Sequence, residues 1–232
     1  MEENNTTLRD RVMDALRSKA CMKQNVYARI IACYKELESV IEEVAGELGT
    51  EVRGLDERLK VSFDRRSDTA CELRVAGDVI AFSMHTNVFR LERAHHLWQS
   101  SYLQKDEMRG YFGMVNMYNF LSDSLVFGRE RDLGYLVARL FLNNEGHFFM
   151  LGKKRLGTLY NDLAGATLDR TILREMVLAV IEHVIDFDLL VPPYDQVSEV
   201  TVGEMRMLYA AQQVSTGKRL GFRFQAEAED IS

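Results

Sequence analysis

The sequence predicts an α+β fold, in which an antiparallel sheet of about six to seven strands in two meanders is packed by an N-terminal helix and C-terminal helices. Residues 59–84 and 135–155 carry strand-like patterns on either side of short turn sequences. Residues 24–48 and 167–190 carry apolar side chains at helical spacing. Antiparallel strands with helices at both ends indicate the α+β class.

The chain is predicted to form one domain over residues 1–232. Its N-terminal helical segment spans 1–52, the sheet with a helical insert spans 55–160, and the C-terminal helices with a closing strand span 161–232. The composition, 47% hydrophobic with a net charge of −6, supports a sizeable core and argues against nucleic-acid binding over the whole surface. No apolar run could cross a bilayer, and the polar start MEENNTTLRDR lacks a signal peptide's hydrophobic region.

The first predicted helix covers residues 24–48. Its stripe contains Val26, Ile30, Cys33, Leu37, Val40 and Val44, and the opposite face is rich in Glu and Lys. Gly46 and Gly49 are predicted to end it. The stripe is wider and shorter than a coiled-coil seam, so packing against the chain's own sheet is favoured over a coiled coil.

The first meander alternates with a period of two. Val61 and Phe63 form one strand with Leu59, and Cys71, Leu73 and Val75 form the next. A two-residue turn at Gly77-Asp78 predicts the cross-strand pairs Val75–Ile80, Leu73–Phe82 and Cys71–Met84. All six side chains then share one face of the sheet.

The middle of the chain is less regular. Residues 91–107 are predicted to be helical or irregular, and the stretch GYFGMVNMYNF is ambiguous because glycines interrupt its aromatic residues. A strand is predicted near Ser124 to Phe127, followed by a turn over 128–132. The large side chains of the stretch could line a pocket for a small apolar ligand or fill the core, and filling the core is favoured. These side chains are Tyr111, Phe112, Met114, Met117, Tyr118 and Phe120.

The segment YLVARLFLNNEGHFFMLGKKR predicts a hairpin with the three-residue loop Asn144-Glu145-Gly146. Its register pairs Leu142 with Phe148, Phe141 with Phe149 and Leu140 with Met150. Both faces of the hairpin are then apolar, so we expect it at the centre of the sheet with cover on both sides.

The C-terminal part is predicted to contain helices and one strand. A helix over 167–190 buries a broad stripe and stops at Pro192-Pro193. Thr201 and Glu204 form a capping-box pattern that begins another helix. Leu220, Phe222 and Phe224 alternate as a closing strand.

Strand direction predicts one basic cluster. The turn over 128–132 and the residues after the last hairpin strand should lie at the same end of the sheet. Five cations would meet there and could hold a phosphate or polyanion, although Glu130 and Asp132 share the turn and charged strand ends also keep sheets soluble. The five are Arg129, Arg131, Lys153, Lys154 and Arg155.

No catalytic residue or cofactor is assigned from the sequence. His183 and Asp186 lie one helical turn apart and are weak candidates for metal ligands, but no third ligand is indicated. Asp64 with Glu72 and Arg74 is only a distant match to a metal-dependent nuclease pattern. Three cysteines without CxxC spacing indicate free thiols in a reducing cytoplasm, and only Cys21 lies in a polar setting.

The sequence therefore predicts a cytoplasmic, non-catalytic module that binds a protein partner or a small apolar ligand. Self-association as a homo-oligomer is expected through the two-faced sheet or the N-terminal helix. Nucleic acid and membrane are not expected partners. The alternative is a metal-dependent or nucleic-acid-processing enzyme that uses the basic end of the sheet.

Overall fold

The computed structural model describes residues 7–130, 132–153, 155–165, 167–187, 194–203 and 205–206. Seven α-helices, seven strands, two 3₁₀ segments and one π segment have defined bounds within these ranges, and Val202, Gly203, Met205 and Arg206 are also helical. The helices are α1 (Leu8–Ala15), α2 (Cys21–Arg53), α3 (Ser101–Lys105), α4 (Ser122–Val126), α5 (Leu156–Leu159), α6 (Arg170–Ile185) and α7 (Tyr194–Val197). The strands are β1 (Val61–Ser67), β2 (Ala70–Val75), β3 (Asp78–Met84), β4 (Phe89–Arg90), β5 (Tyr111–Leu121), β6 (Tyr135–Asn143) and β7 (Phe148–Gly152). The π segment is Leu16–Ala20, and the 3₁₀ segments are His96–Gln99 and Glu107–Gly110.

All seven strands form one antiparallel sheet in the order β1-β2-β3-β5-β6-β7, with β4 pairing beside β3 along β5. The predicted α+β fold with an N-terminal helix and C-terminal helices is therefore confirmed. The division into a single domain stays a prediction. The ambiguous stretch GYFGMVNMYNF, residues 110–120, lies almost entirely in β5, which is the longest of the described strands and is near the middle of their order.

Helix α2 crosses one face of the sheet and is longer than predicted. It passes through Gly46 and Gly49 and ends at the C-cap residue Gly54, so the prediction that the two glycines end it was wrong. Gly49 is buried, and a Cβ there would lie 2.9 Å from the carbonyl oxygen of Val61 in β1. Gly49 therefore serves close packing of the helix against the sheet. Packing onto the chain's own sheet is confirmed by the burial of Val26, Ile30 and Leu37.

The hairpin β6–β7 has the predicted register. Leu142 pairs with Phe148, Phe141 with Phe149 and Leu140 with Met150. Gly146 adopts a φ of 86°, a left-handed backbone that glycine accepts without a steric penalty.

Among the described strands the hairpin does not lie at the centre of the sheet, because β7 is the last strand of their order. Other parts of the chain cover both apolar faces of the hairpin. On the inner face, α2 and α6 bury Leu140, Leu142 and Met150. On the outer face, Leu97, Leu103 and Leu163 cover Phe141 and Phe149.

The first hairpin has a different register from the one predicted. Val75 pairs with Asp78, Leu73 with Ile80 and Cys71 with Phe82, so the two-residue loop is Ala76-Gly77 rather than Gly77-Asp78. Ala76 has a φ of 52°, a left-handed backbone conformation that is common for Gly, less rare for Asn and uncommon for Ala. The shift is two residues, so the same side chains still face the core.

The connection between β5 and β6 begins with a helix instead of the predicted strand near Ser124 to Phe127. Helix α4 occupies Ser122–Val126 and leaves Leu125, Val126 and Phe127 more than a third exposed. A short apolar run does not distinguish helix from strand by periodicity alone. The second meander therefore consists of β5, β6 and β7.

Helix α6 packs beside α2 on the inner face. It begins at Arg170 and ends at Ile185, which is shorter than predicted, and Ile185 is exposed. Arg170 forms ion pairs with Glu36 and Glu43 of α2. Exposed pairs of this kind stabilise by only about 0–1 kcal/mol each, so the buried stripe holds α6 in place.

The remaining C-terminal predictions lie largely outside the described residues. These are the stop at Pro192-Pro193, Glu204 of the capping box and the closing strand at Leu220, Phe222 and Phe224. Within the ranges that the structure describes, no helix combines the length and the apolar character needed to span a membrane.

Candidate functional site

A cleft lies at the end of the sheet where β5 ends, β6 begins and β7 ends, beneath the last turns of α6. We call it the sheet-end cleft. Its larger part has a volume of about 210 Å³, and a smaller recess of about 10 Å³ adjoins it through the shared residues His183 and Phe187. The larger part is also lined by Arg155, Leu156, Leu159, Ala179, Glu182 and Asp186. The recess is also lined by Asn119, Tyr135, Leu136, Val137, Lys153 and Val184.

The tight turn after β7 places the basic residues at this cleft. The backbone N–H of Lys153 donates a hydrogen bond of 3.3 Å to Val137 and continues the pairing with β6. Gly157 packs so closely on Gly152 that a Cβ would lie 2.4 Å from the Gly152 carbonyl oxygen. The chain therefore reverses at once into α5 and buries Leu156 in the inner core.

Charged groups at the mouth of the cleft are only weakly paired. Arg155 Nη1 lies 3.6 Å from Glu182 Oε2, and both side chains are more than half exposed. A surface pair at this distance contributes little and leaves the guanidinium able to take another anion. The cleft is thus lined by two cationic side chains, Lys153 and Arg155, and by the carboxylates of Glu182 and Asp186. Beside them lies an apolar wall that includes Phe187.

Asn119 is the unusual polar residue of the site. It is 4% exposed, and its Nδ2 donates a hydrogen bond of 3.2 Å to Asp78 Oδ1. Its Oδ1 is buried and has no hydrogen-bond partner among the described residues. An unsatisfied buried acceptor lowers the free energy of unfolding by about 1–3 kcal/mol. The Oδ1 of Asn119 is therefore expected to destabilise the fold by about this amount.

Sequence reasoning missed Asn119. The available signal was its phase, because Val115, Met117 and Asn119 alternate onto the inner face of β5. A polar amide at the third position of a buried apolar series indicates either a hydrogen-bond network or a ligand contact.

The structure brings together two groups of residues that the sequence treated separately. Lys153 and Arg155 of the predicted basic cluster line the same cleft as the weak metal candidates His183 and Asp186. Arg129 lies in the β5–β6 connection with its guanidinium 5.8 Å from the Phe127 ring centroid. Arg131 and Lys154 lie outside the described residues, so the five-cation cluster stays a prediction.

No metal centre is assembled from the part of the chain that the structure describes. No group of three or more His, Cys, Asp or Glu side chains there could hold an ion. His183 and Asp186 therefore have no third His, Cys, Asp or Glu beside them among the described residues, and a metal site there stays a weak prediction.

The six residues proposed for an apolar pocket are divided among different parts of the molecule. Phe112 and Met114 belong to the outer core, Met117 belongs to the inner core, and Tyr111 packs against Met22. Tyr118 and Phe120 are partly exposed. A pocket lined by these residues stays a prediction, and none of the six lines the sheet-end cleft as described above.

The other sequence candidates also have defined surroundings. Asp64 pairs with Glu72 across β1 and β2, and Arg66 forms ion pairs with both carboxylates at 2.9 and 2.6 Å. Asp64 and Arg66 are more than half exposed on this strand surface.

The three cysteines are free, and Cys21 is exposed. Burial raises the pKa of the Cys33 thiol to about 12 and that of Cys71 to about 11. Both of these thiols are therefore held in the protonated, unreactive form at neutral pH.

A second polar group lies at the opposite end of the hairpin. Glu145 accepts hydrogen bonds from Tyr102 Oη at 2.7 Å and from Arg109 Nε at 2.9 Å. Although burial opposes it, these two donors lower the pKa of Glu145. Burial raises the pKa of Tyr102 to about 12. Glu145, Tyr102 and Arg109 each have a hydrogen-bond partner within this group. Such a network is typical of one that holds a loop in place.

A comparison of the chain with known protein families, with curated proteins and with solved structures finds no match. Function is therefore inferred from the chemistry of the described surfaces.

Proposed function

We propose that the protein is a non-catalytic module that binds a small anionic ligand with an apolar body in the sheet-end cleft. The observation that carries the proposal is the buried, unsatisfied Oδ1 of Asn119 beside Lys153 in a recess of that cleft. Ligand pockets combine an apolar wall with a few placed polar groups, and this cleft has both.

The lining indicates how such a ligand would be oriented. An anionic group would lie against Lys153 and Arg155, and an apolar body would pack against Phe187 and Leu159. The recess beside Asn119 has a volume of only about 10 Å³, so a donor at the tip of the ligand, or a water that it holds, would satisfy Asn119 Oδ1. The volume of about 210 Å³ is below the roughly 300–1,000 Å³ of drug-sized pockets, so a ligand of about ten heavy atoms fits best.

Binding is favoured over nucleophilic catalysis because the described lining contains no Ser, Thr or Cys that His183 could activate. The alternative remains a metal-dependent or nucleic-acid-processing enzyme at the basic sheet end. A stoichiometric metal in purified protein, measured by elemental analysis, would favour that alternative.

The experiment is a thermal-shift titration with phenylacetate as the probe. Ligand at about ten times its Kd stabilises the folded state by about 1.4 kcal/mol, which raises Tm by about 3–6 °C in a chain of this size. We expect this shift with phenylacetate, a smaller one with neutral phenylacetamide, and none with benzylamine.

A double variant, Lys153→Gln with Arg155→Gln, should lose the shift. The matched control removes two exposed cations elsewhere, Lys35→Gln and Lys105→Gln, and should retain it. Equal shifts in the two double variants, or no shift in the parent protein at saturating probe, would refute the proposal.

A second candidate function is self-association in the cytoplasm. The sequence predicts it through the two-faced sheet or the helix over 24–48, and the exposed apolar side chains lie on α1 and the π segment that precede α2. Leu8, Val12 and Leu16 lie on one stripe and are 70%, 50% and 51% exposed. The capping box of Thr7 and Asp10 specifies the start of this helix, yet α1 contributes no buried residue. Static light scattering at tens of micromolar tests this: a strict monomer excludes it, and a dimer lost in Leu8→Ser/Val12→Ser/Leu16→Ser supports it.

A further inference from the structure

Four cationic side chains surround two aromatic rings where the N-terminal helix meets β4 and the start of β5. We call this group the cation–aromatic surface. Lys19 Nζ, Lys23 Nζ and the Arg90 guanidinium lie 5.7, 5.6 and 5.5 Å from the Tyr111 ring centroid. The guanidiniums of Arg90 and Arg93 lie 5.3 and 5.2 Å from the Trp98 ring.

Within the part of the chain that the structure describes, the cations of this surface outnumber the acids that bond or border them. Glu107 bonds both arginines, at 2.7 Å to Arg90 and 2.9 Å to Arg93. Even with the exposed Glu92 counted, four cations face two anions, whereas the whole chain carries a net charge of −6. A local positive excess on an acidic protein is not needed for solubility and indicates an anionic partner.

Two features of the backbone position the side chains of this surface. Lys19 lies in the π segment Leu16–Ala20, and π turns inside α-helices occur frequently at functional sites. Gly110 lets Trp98 lie directly on the chain, because a Cβ there would be 2.4 Å from the indole ring. The indole Nε1 also donates a hydrogen bond of 2.9 Å to the carbonyl oxygen of Glu92. The rings therefore hold the cations in place without neutralising them.

We propose that the cation–aromatic surface binds a phosphate-bearing polyanion through closely spaced phosphates. Three of its cations lie within 5.7 Å of one ring centroid, so no two of them are more than about 11 Å apart. Arg93 already gives both Nη groups to Glu107, at 3.0 and 2.9 Å, so Lys19, Lys23 and Arg90 would make the main contacts to phosphate. Preordered side chains lose less entropy on binding.

The surface is suited to bind the charge of phosphates rather than to stack with nucleic-acid bases. Tyr111 is 6% exposed, and cations already occupy positions over the Trp98 ring, so an open aromatic platform for base stacking is lacking among the described residues of this surface. A free polyphosphate and the backbone of a single-stranded nucleic acid present the same chemistry. The site is separate from the sheet-end cleft, and its occupation does not depend on the proposed function.

Trp98 is the single tryptophan of the chain, so its fluorescence reports directly on this surface. The titration uses inorganic tripolyphosphate in one arm and a single-stranded oligonucleotide of mixed sequence in the other, at low and moderate salt. Saturation by both probes assigns the shared phosphate chemistry. Saturation by tripolyphosphate alone assigns a free polyphosphate, and saturation by the oligonucleotide alone assigns a nucleic-acid backbone.

Variants with opposite expected effects keep the result independent of folding defects. The double variant Lys19→Gln/Lys23→Gln should weaken oligonucleotide binding about tenfold at low salt. It should also make the slope of log K against log salt shallower by about 1.4, which is about 0.7 for each lost phosphate contact to a single strand. Glu107→Gln should strengthen binding several-fold, because the pKa of Glu107 is lowered by its bonds to Arg93 and the variant removes that negative charge.

The matched control is Lys35→Gln/Lys60→Gln, which removes two exposed cations from other parts of the protein. It should leave the affinity within about twofold. An equal loss in the control and the double variant, weaker binding by Glu107→Gln, or no saturable change in Trp98 fluorescence with either probe at low salt would overturn the proposal.

Discussion

Asn143 is expected to be the most sensitive polar position of the β6–β7 hairpin. It is fully buried, and its Oδ1 accepts hydrogen bonds of 3.0 Å from the backbone N–H groups of Glu145 and His147. Its Nδ2 donates to Tyr102 Oη at 2.9 Å and to the carbonyl oxygen of Arg109 at 3.3 Å. One side chain therefore joins the loop to the segment that covers the outer face.

The substitution Asn143→Ala removes all four bonds at once. Two backbone N–H groups and one carbonyl lose partners, and each buried unsatisfied group costs about 1–3 kcal/mol. Tyr102 Oη keeps Glu145 as an acceptor, so it adds little to the loss. Taking the lower end for groups that water can partly reach, we expect a loss of about 3 kcal/mol, which corresponds to a Tm lower by about 6–12 °C.

Urea denaturation followed by circular dichroism measures this loss, with Asn116→Ala as the control. Asn116 lies on the adjacent strand β5, is partly exposed and accepts one side-chain bond, of 3.1 Å from Arg139 Nε. The control should lose less than about 1 kcal/mol. If the two variants are equally stable, the four bonds of Asn143 do not hold the loop and the reasoning fails.

Two further predictions concern backbone strain and thiol chemistry. Ala76→Gly should raise the free energy of unfolding by about 0.5–1 kcal/mol. Glycine removes the cost of a φ of 52°, and this gain outweighs the greater entropy of glycine in the unfolded state. Thermal denaturation checks the sign of the change, and a lower Tm in the variant would contradict the prediction. At pH 8, a thiol-reactive disulfide should modify Cys21 rapidly and Cys71 only after unfolding, since burial raises the Cys71 pKa to about 11; fast modification of two or more thiols in the native protein contradicts this.

The strand pairings were predictable from the sequence where turn chemistry and apolar pattern agreed. Gly146 and the apolar runs around it determine a single register, and the structure has that register. At the first hairpin the pattern determined only which face each side chain occupies. The exact pairing depended on Ala76 adopting a left-handed conformation, which packing of the strands imposes against the local preference of alanine.

The surfaces were less predictable than the strands because they join distant parts of the chain. Lys19 and Arg90 meet over Tyr111, and no local pattern relates residues so far apart in sequence. The sequence predicted part of the cleft lining, since strand direction placed Lys153 and Arg155 at one end of the sheet. The position of His183 above that end depended on how α6 packs beside α2, which periodicity does not determine.

Strand β5 relates the two proposed sites to each other. Tyr111 is its first residue and belongs to the cation–aromatic surface, whereas Asn119, eight residues later, lies in the sheet-end cleft. At about 3.3 Å per residue the two sites are separated by about 26 Å. Ligands at this distance do not touch, and substitutions this far apart without shared partners act additively. Any dependence of polyphosphate affinity on phenylacetate would therefore have to pass through the buried length of β5, and we expect none, because the two sites share no lining residue.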